Sequence, residues 1–158
     1  MLTQAYELCE DGNYLDALNL YDLVLQQEPK NLSALIDKGV TLQNLGKVKK
    51  SIQLYDKALQ IDPKNLDALL NKGSSLHTLG FYEKAIDCYD QALKIDKKSA
   101  MALAYKGLSL GEMGDLSNAL KHFKKALSID ANYDLASISK EIAQDLLKSI
   151  KNKQSKIQ

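Results

Sequence analysis

The sequence predicts an all-α protein made of four tandem helical hairpins followed by a C-terminal capping helix. The first observation is a period of 34 residues that runs through most of the 158-residue chain. The second is that each half of the period carries apolar residues at helical spacing. The third is a glycine between the two halves, at the place where a helical hairpin must reverse direction.

Two unrelated columns of residues share this period, which makes coincidence a poor explanation. The aromatic column is Tyr21, Tyr55, Tyr89 and Phe123, and the glycine column is Gly12, Gly46, Gly80 and Gly114. The period predicts one array over residues 1–150, with repeats at 1–31 (truncated at its start), 32–65, 66–99 and 100–133. Each repeat then contributes a first helix and a second helix.

Two kinds of glycine have different expected roles within each hairpin. Gly46 and its equivalents follow the first helix, where a positive φ is needed and glycine adopts it without strain. Gly39, Gly73 and Gly107 lie instead in the middle of the first helix, where glycine costs about 1 kcal/mol relative to alanine. We expect the compensation to be a close approach of the second helix.

The repeat resembles the tetratricopeptide repeat. The matching residues of the second copy are Leu35-x2-Lys38-Gly39-x2-Leu42, then Ser51-x3-Tyr55, Ala58 and Pro63. The resemblance covers residues 1 to about 133 without an insertion. It implies a right-handed α-solenoid whose first helices line a concave groove and whose second helices form the convex back. It also implies a protein-protein interaction scaffold.

Two departures from the family pattern are visible. Lys38, Lys72 and Lys106 stand where an aliphatic residue is usual, and we expect their stems to cover apolar surface with the ammonium groups in water. Lys97 and Ala131 replace the proline that follows the second helix. Neither departure changes the predicted fold.

A capping helix is predicted after the fourth repeat. Leu135, Ile138, Ile142 and Leu146 continue an apolar stripe with polar residues between them, over a helix at 134–150. Residues 151–158 are predicted to be a basic flexible tail.

A candidate binding face follows from helical arithmetic at 100° per residue. Within the second repeat, Ile36, Val40 and Asn44 lie on the side of the first helix opposite to Leu35 and Leu42. The predicted peptide-binding groove comprises Leu2, Tyr6, Ile36, Val40, Asn44, Leu70, Asn71, Ser74, His77, Tyr105 and Leu108. The same register places Ile138, Ile142 and Asp145 there. A continuous apolar row of this kind favours a binding surface, although packing between neighbouring first helices would also produce one.

The expected ligand is an apolar or amphipathic peptide or helix of another protein. Some proteins of the family hold the C-terminal carboxylate of chaperones with a clamp of Lys, Asn and Arg. Here Asp37 and Asp67 occupy two of the clamp positions, and both repel a carboxylate. The alternative is self-association as a homodimer, through the groove or through the first repeat, where Leu15 and Leu23 replace the polar residues of later copies.

Composition argues against several other functions. The formal net charge is +1 and all 21 cations are lysines, so neither nucleic acid nor an anionic membrane is an expected partner. The N-terminus lacks the features of a signal peptide, which predicts a cytoplasmic protein with Cys9 and Cys88 reduced. His77 and His122 lie in different contexts without a recurrent nucleophile, so no catalysis, metal or cofactor is predicted.

Overall fold

The computed structural model describes residues 1–155, and within them every regular element is an α-helix. The described residues form two compact units, Met1–Gly80 and a second that begins at Phe81. Unit 1 contains α1 (Leu2–Glu10), α2 (Tyr14–Gln27), α3 (Leu32–Asn44), α4 (Val48–Ile61) and α5 (Leu66–Thr78). Unit 2 contains α6 (Tyr82–Ile95), α7 (Ala100–Glu112), α8 (Leu116–Ile129) and α9 (Asp134–Ser155).

Helices that follow one another along the chain pack together within each unit. In unit 1, α1 contacts α2, α2 contacts α3, and the pattern continues to α5, while α1 and α5 also contact α3. In unit 2, α6, α7, α8 and α9 pack in the same sequential way, and α7 also contacts α9. Within unit 1, first helices therefore lie beside first helices, and the predicted all-helical hairpin architecture is confirmed.

Each first helix after α1 begins with a side-chain cap. Asn31, Asn65 and Ser99 accept hydrogen bonds from the backbone N–H three residues later, at 2.9, 2.9 and 3.1 Å. Such caps satisfy a backbone donor that a helix N-terminus leaves unpaired.

A side-chain turn that follows α4, α6 and α8 explains why proline is dispensable there. The carboxylates of Asp62, Asp96 and Asp130 accept from the N–H two residues later, at 2.9 to 3.1 Å. This side-chain turn spans Pro63 after α4, and it forms equally where Lys97 or Ala131 replaces the proline.

The hairpin turns follow one geometry, in which glycine is required. Gly12, Gly46, Gly80 and Gly114 all have φ between 73° and 84°. After α3, the Gly46 N–H donates to the Gln43 carbonyl at 2.9 Å and the Lys47 N–H donates to the Leu42 carbonyl at 2.8 Å. This pair of bonds is the Schellman motif, which ends a helix at a residue of positive φ.

Replacing Gly46 by alanine should therefore destabilise unit 1. A Cβ there meets no atom within 4 Å, so the cost comes from the left-handed backbone alone. We expect a loss of about 1 to 2 kcal/mol in the free energy of unfolding, measured by urea titration. Gly46→Asn is the matched control, because asparagine tolerates this conformation better and should lose less. Equal losses for the two variants would contradict the explanation.

The core depends on the aromatic column and on the mid-helix glycines. Tyr21, Tyr55 and Tyr89 are at most 1% exposed, and Phe123 is 3% exposed. A Cβ built on Gly39 would lie 2.5 Å from Cε1 of Tyr55, and one on Gly107 would lie 2.6 Å from Cε1 of Phe123. The predicted close approach is thus confirmed at Gly39 and Gly107, since the aromatic ring fills the space that a Cβ would need.

The three repeat lysines form ion pairs, which the expectation for their ammonium groups did not include. Lys38 pairs with Asp22, Lys72 with Asp56 at 2.6 Å, and Lys106 with Asp90 at 2.6 Å. Each pair links a first helix to the second helix of the preceding repeat, sixteen residues earlier in the chain. The partly buried stems bring the ammonium groups within reach of the carboxylates, and the sequence register alone did not reveal this partner.

The last helix also departs from the predicted arrangement. It runs to Ser155, so residues 151–155 of the expected flexible tail are helical, and residues 156–158 lie outside the described part. Its buried residues are Ala136 and Ala143, whereas Ile138, Ile142 and Leu146 are 47 to 58% exposed. The stripe expected to pack is therefore largely open, because the two alanines allow a closer contact than isoleucine or leucine would.

Candidate functional site

The first helices of unit 1 share one partly exposed side, which we call the first-helix face. Its members are Leu2, Tyr6, Val40, Asn44, Leu70, Asn71, Ser74 and His77. Tyr6 is 59% exposed, Asn44 is exposed, and Val40 and Leu70 are half-buried. Because α1, α3 and α5 lie side by side, these apolar side chains occupy neighbouring positions on one surface.

Ile36 does not belong to this surface, which corrects the sequence-based expectation. Its side chain is 8% exposed and packs in a core cluster with Leu35, Leu42 and Tyr55. Helical arithmetic places Ile36 at the edge of the binding side. Neighbouring helices cover that edge, a contact that a single-helix calculation does not include.

A polar network lies where α3, α4 and α5 meet. The Gln43 side-chain oxygen accepts from the hydroxyls of Ser75 at 2.9 Å and Tyr55 at 3.3 Å. The Gln43 amide nitrogen donates to Ser74 at 3.4 Å, and the hydroxyls of Ser51 and Ser75 are 3.1 Å apart. These bonds pair the buried hydroxyls and fix the Gln43 and Ser74 side chains beside the first-helix face.

The equivalent position of the first repeat holds a cysteine rather than a glutamine. The Cys9 thiol lies 3.2 Å from the Thr41 hydroxyl and 3.9 Å from the Tyr21 hydroxyl. Cys9 and Cys88 are free thiols, the latter buried. The thiol therefore replaces Gln43 as the polar link between neighbouring repeats.

Two carboxylates give the first-helix face of unit 1 an acidic character. Burial, and then the negative charge of Asp67, raise the pKa of the Asp37 carboxyl above its usual value. Burial raises the pKa of the Tyr55 hydroxyl as well, and the charge of Asp37 adds to this effect. The face thus combines apolar side chains with an acidic pair that disfavours an anionic ligand.

Unit 2 carries the remaining predicted residues and an apolar cavity. Leu108 is half-buried on α7, and the half-buried ring of Tyr105 lies 5.8 Å from that of Tyr89. A cavity of about 390 Å³ opens among α7, α8 and α9, with Leu108, Ile142 and Leu146 in its lining. Ile142 is 55% exposed, as its place in the register of the binding face requires, although the capping stripe that also includes it was expected to pack.

The cavity itself was not predicted from the sequence. The sequence feature that could have indicated it is Gly111, which occupies the column where the other repeats have Cys9, Gln43 and His77. A missing side chain in a column of larger ones leaves space, but only the placement of α9 shows that the space stays open.

The two leucines predicted for self-association are both exposed. Leu15 is 67% exposed and Leu23 is 45% exposed, and they lie two turns apart on α2. Their exposure agrees with the sequence comparison between repeats, while their role in association stays a prediction.

Neither a metal site nor a membrane span is indicated by the described part of the chain. Residues 1–155 contain no group of three or more His, Cys, Asp or Glu that could hold a metal ion. No helix among those residues combines the length and apolar character that a membrane crossing requires.

Solved structures of similar fold include helical repeat proteins. A crystal structure of MamA has a TM-score of 0.79 and 24% identity, over 89% of this chain and 82% of that one. MamA from Desulfovibrio magneticus RS-1 has a TM-score of 0.76 and 19% identity, over 97% of this chain and 93% of that one. The first tetratricopeptide repeat domain of Spaghetti (RPAP3) was solved with the HSP90 peptide SRMEEVD bound. It has a TM-score of 0.71 and 21% identity, over 75% of this chain and 94% of that one. No curated protein sequence matches the chain.

Two family models match overlapping parts of the sequence. The model described as "Tetratricopeptide repeat" matches residues 64–132, and "Anaphase-promoting complex, cyclosome, subunit 3" matches residues 10–92. Together with the 34-residue register and the helical hairpins, these matches show that the chain belongs to the tetratricopeptide repeat family.

Proposed function

We propose that the protein is a non-catalytic interaction scaffold whose first-helix face binds an apolar or amphipathic segment of another protein. The observation that carries this proposal is the row formed by Tyr6, Val40 and Leu70, which the fold leaves partly or largely exposed. A repeated apolar row on a folded surface is more typical of a binding site than of a free surface. Helix-in-groove binding would then bury it.

The charge of the face restricts the ligand. The SRMEEVD peptide bound to the first domain of Spaghetti carries two glutamates and an aspartate. Asp37 and Asp67 would repel such a sequence here, and the described part of the chain offers no arginine to compensate. A neutral or basic amphipathic segment therefore fits the face better than an acidic C-terminus.

A non-catalytic role agrees with the surroundings of the titratable groups. The His122 Nδ1 atom lies 2.8 Å from the Asn118 carbonyl within its own helix, which is an ordinary structural contact. Tyr21, Tyr55 and Tyr89 are core residues, and burial is the main cause of their raised pKa values. We place the protein in the cytoplasm on its sequence, with another protein as its partner and no cofactor.

Tyr6→Asp should weaken partner binding without unfolding the protein. Peptides selected against the wild-type protein from a random displayed library provide the probe, and their affinities are measured by fluorescence anisotropy. We expect a loss of about tenfold or more, which corresponds to about 1.4 kcal/mol, because a charge would replace an apolar contact. Tyr6 is 59% exposed, so the melting temperature should change little.

Leu15→Asp is the matched control, because it places the same charge at an exposed apolar position on the second helix of the same hairpin. Binding by Leu15→Asp should equal that of the wild type. If both variants bind selected peptides as well as the wild type does, the first-helix face is not the binding site.

Self-association through the first repeat is the second candidate, favoured by the exposure of Leu15 and Leu23. Light scattering across a concentration series distinguishes the two proposals. A dimer that Leu15→Asp converts to a monomer would support self-association, whereas a monomer at all concentrations would exclude it.

A further inference from the structure

The cavity of unit 2 is built almost entirely from apolar side chains. Its lining includes Leu108, Leu116, Phe123, Ile142 and Leu146. The Phe123 ring is 3% exposed and rests against Gly107, so it forms the floor of the cavity. Ile142 and Leu146 are 55% and 47% exposed and form an open rim. The volume of about 390 Å³ falls in the lower range of pockets that enclose small ligands.

Gly111 of α7 lies in the lining of the cavity and contributes no side chain to fill it. A Cβ on Gly111 would have one neighbour within 4 Å, the Ala119 Cβ at 3.9 Å, so no packing contact requires glycine here. Gly107, one turn earlier, is required by Phe123. The two glycines of α7 therefore differ: Gly107 permits core packing, and Gly111 leaves a cavity unfilled.

An apolar stripe extends from the rim along α9. Ile138, Ile142, Leu146 and Ile150 are all 44 to 58% exposed and follow one another at intervals of four residues. At 1.5 Å per residue, this stripe is about 18 Å long, which matches the apolar face of a helix of about three turns. Exposed apolar residues in such a continuous line are unusual for a free surface.

The one charge in the lining of the cavity is acidic, whereas the exposed side of α9 carries charges of both signs. Glu112 is the one charged residue of the lining. On α9, Asp134, Glu141 and Asp145 are exposed, and Asp145 pairs weakly with Lys148 at 3.7 Å between two largely exposed side chains. Lys140 and Lys148 lie among these acids, and Lys151 and Lys153 follow them. The negative charge that a ligand meets in the cavity itself is therefore that of Glu112.

We propose that this cavity takes one large apolar side chain from a basic amphipathic helix of a partner protein, and that the α9 stripe contacts the rest of its apolar face. The inference goes beyond the proposed function, because it names a second anchoring position, in unit 2, and the charge of the ligand that would fit there. Charge complementarity favours lysine or arginine in the partner next to Glu112. Burial of the anchor and the stripe would supply the affinity.

The anchoring position is tested first with a small probe that needs no known partner. N-acetyl-phenylalaninamide is titrated into the full chain with methyl groups labelled for NMR. We expect chemical-shift changes at the methyls of Leu108, Ile142 and Leu146. Gly111→Met should fill the cavity and weaken the probe's affinity by about tenfold or more. The absence of shifts at these methyls in the wild type, or unchanged affinity in Gly111→Met, would overturn the proposal.

Ser117→Met is the matched control, because it adds the same side chain at an exposed position of α8 outside the cavity. This variant should bind the probe like the wild type. Gly111→Ala is a second variant, whose Cβ would lie 3.9 Å from the Ala119 Cβ in ordinary contact. It should lose part of the probe affinity, and it keeps the test valid if the methionine variant fails to fold. Full affinity in folded Gly111→Ala and Gly111→Met would overturn the assignment.

The charge of the ligand is tested with two model helices of the same leucine pattern, one with lysines and one with glutamates on its polar face. The lysine helix should bind more tightly, and Glu112→Gln should reduce the difference. Equal affinity for the two helices would overturn the basic character of the partner. Library peptides that still depend on Tyr6 while the phenylalanine probe fails would remove this inference alone and leave the proposed function standing.

Discussion

Tyr55→Ala is expected to lower the free energy of unfolding by about 3 to 5 kcal/mol, the range for deleting a buried aromatic side chain. Tyr55 is 0% exposed and packs in the core cluster of α3, α4 and α5. Its ring lies against Gly39, and its hydroxyl donates to the Gln43 side chain at 3.3 Å. The deletion therefore leaves a cavity and removes a donor from the polar network.

Urea unfolding followed by circular dichroism measures the loss, and hydrogen exchange locates it. Because stability in repeat arrays depends on neighbouring contacts, amide protection should fall first in α3, α4 and α5. Tyr6→Ala is the exposed control and should change stability by less than about 0.5 kcal/mol. Tyr55→Phe keeps the ring and removes only the hydroxyl, so it should lower the free energy of unfolding by only about 1 kcal/mol. A loss in Tyr55→Phe as large as in Tyr55→Ala would contradict the importance of the ring.

The two glycines of α7 should respond to alanine with opposite signs. Gly107→Ala places a Cβ 2.6 Å from Cε1 of Phe123, a ring that is 3% exposed. Overpacking of this kind costs about 1 to 3 kcal/mol, against which the higher helix propensity of alanine contributes up to about 1 kcal/mol. We expect Gly107→Ala to be destabilised by about 1 to 2 kcal/mol net.

Gly111→Ala is the matched substitution, four residues later in the same helix. Its Cβ would lie 3.9 Å from the Ala119 Cβ, which is ordinary contact. Because this Cβ causes no clash, only the higher helix propensity of alanine relative to glycine acts. We therefore expect a gain of up to about 1 kcal/mol in the free energy of unfolding. Thermal and urea unfolding of both variants measure the sign of each change in the free energy of unfolding. Stabilisation of both variants would show that the Phe123 ring can shift, and destabilisation of both would show that Gly111 has a packing role of its own.

The repeat register predicted most of the fold because its signals are local. Positive φ at Gly46 and the stop at the end of the first helix follow from the conformational freedom of one residue. The contact of Gly39 with Tyr55 is nearly local as well, since the two residues lie on consecutive helices of one hairpin. The family assignment rests on the same columns, which is why sequence and structure agree on it.

The candidate site was less predictable, because exposure depends on neighbours. Ile36 and Val40 are one turn apart on α3 and similar in character, yet Ile36 is buried and Val40 is only half-buried. Lys38 was placed correctly on its helix, but its partner Asp22 comes from the preceding repeat. A single-helix wheel contains no information about either neighbour.

What the sequence alone determined is the hairpin repeat, its turns and the residues that point away from each hairpin's core, because periodicity and backbone freedom act over a few residues. The tertiary structure decided which of those residues stay accessible. It buried Ile36, paired the repeat lysines, packed α9 on Ala136 and Ala143, and left the cavity beside Gly111 open. The physical reason is that packing removes surface through contacts between distant parts of the chain, and the closeness of those contacts depends on the side chains of both partners.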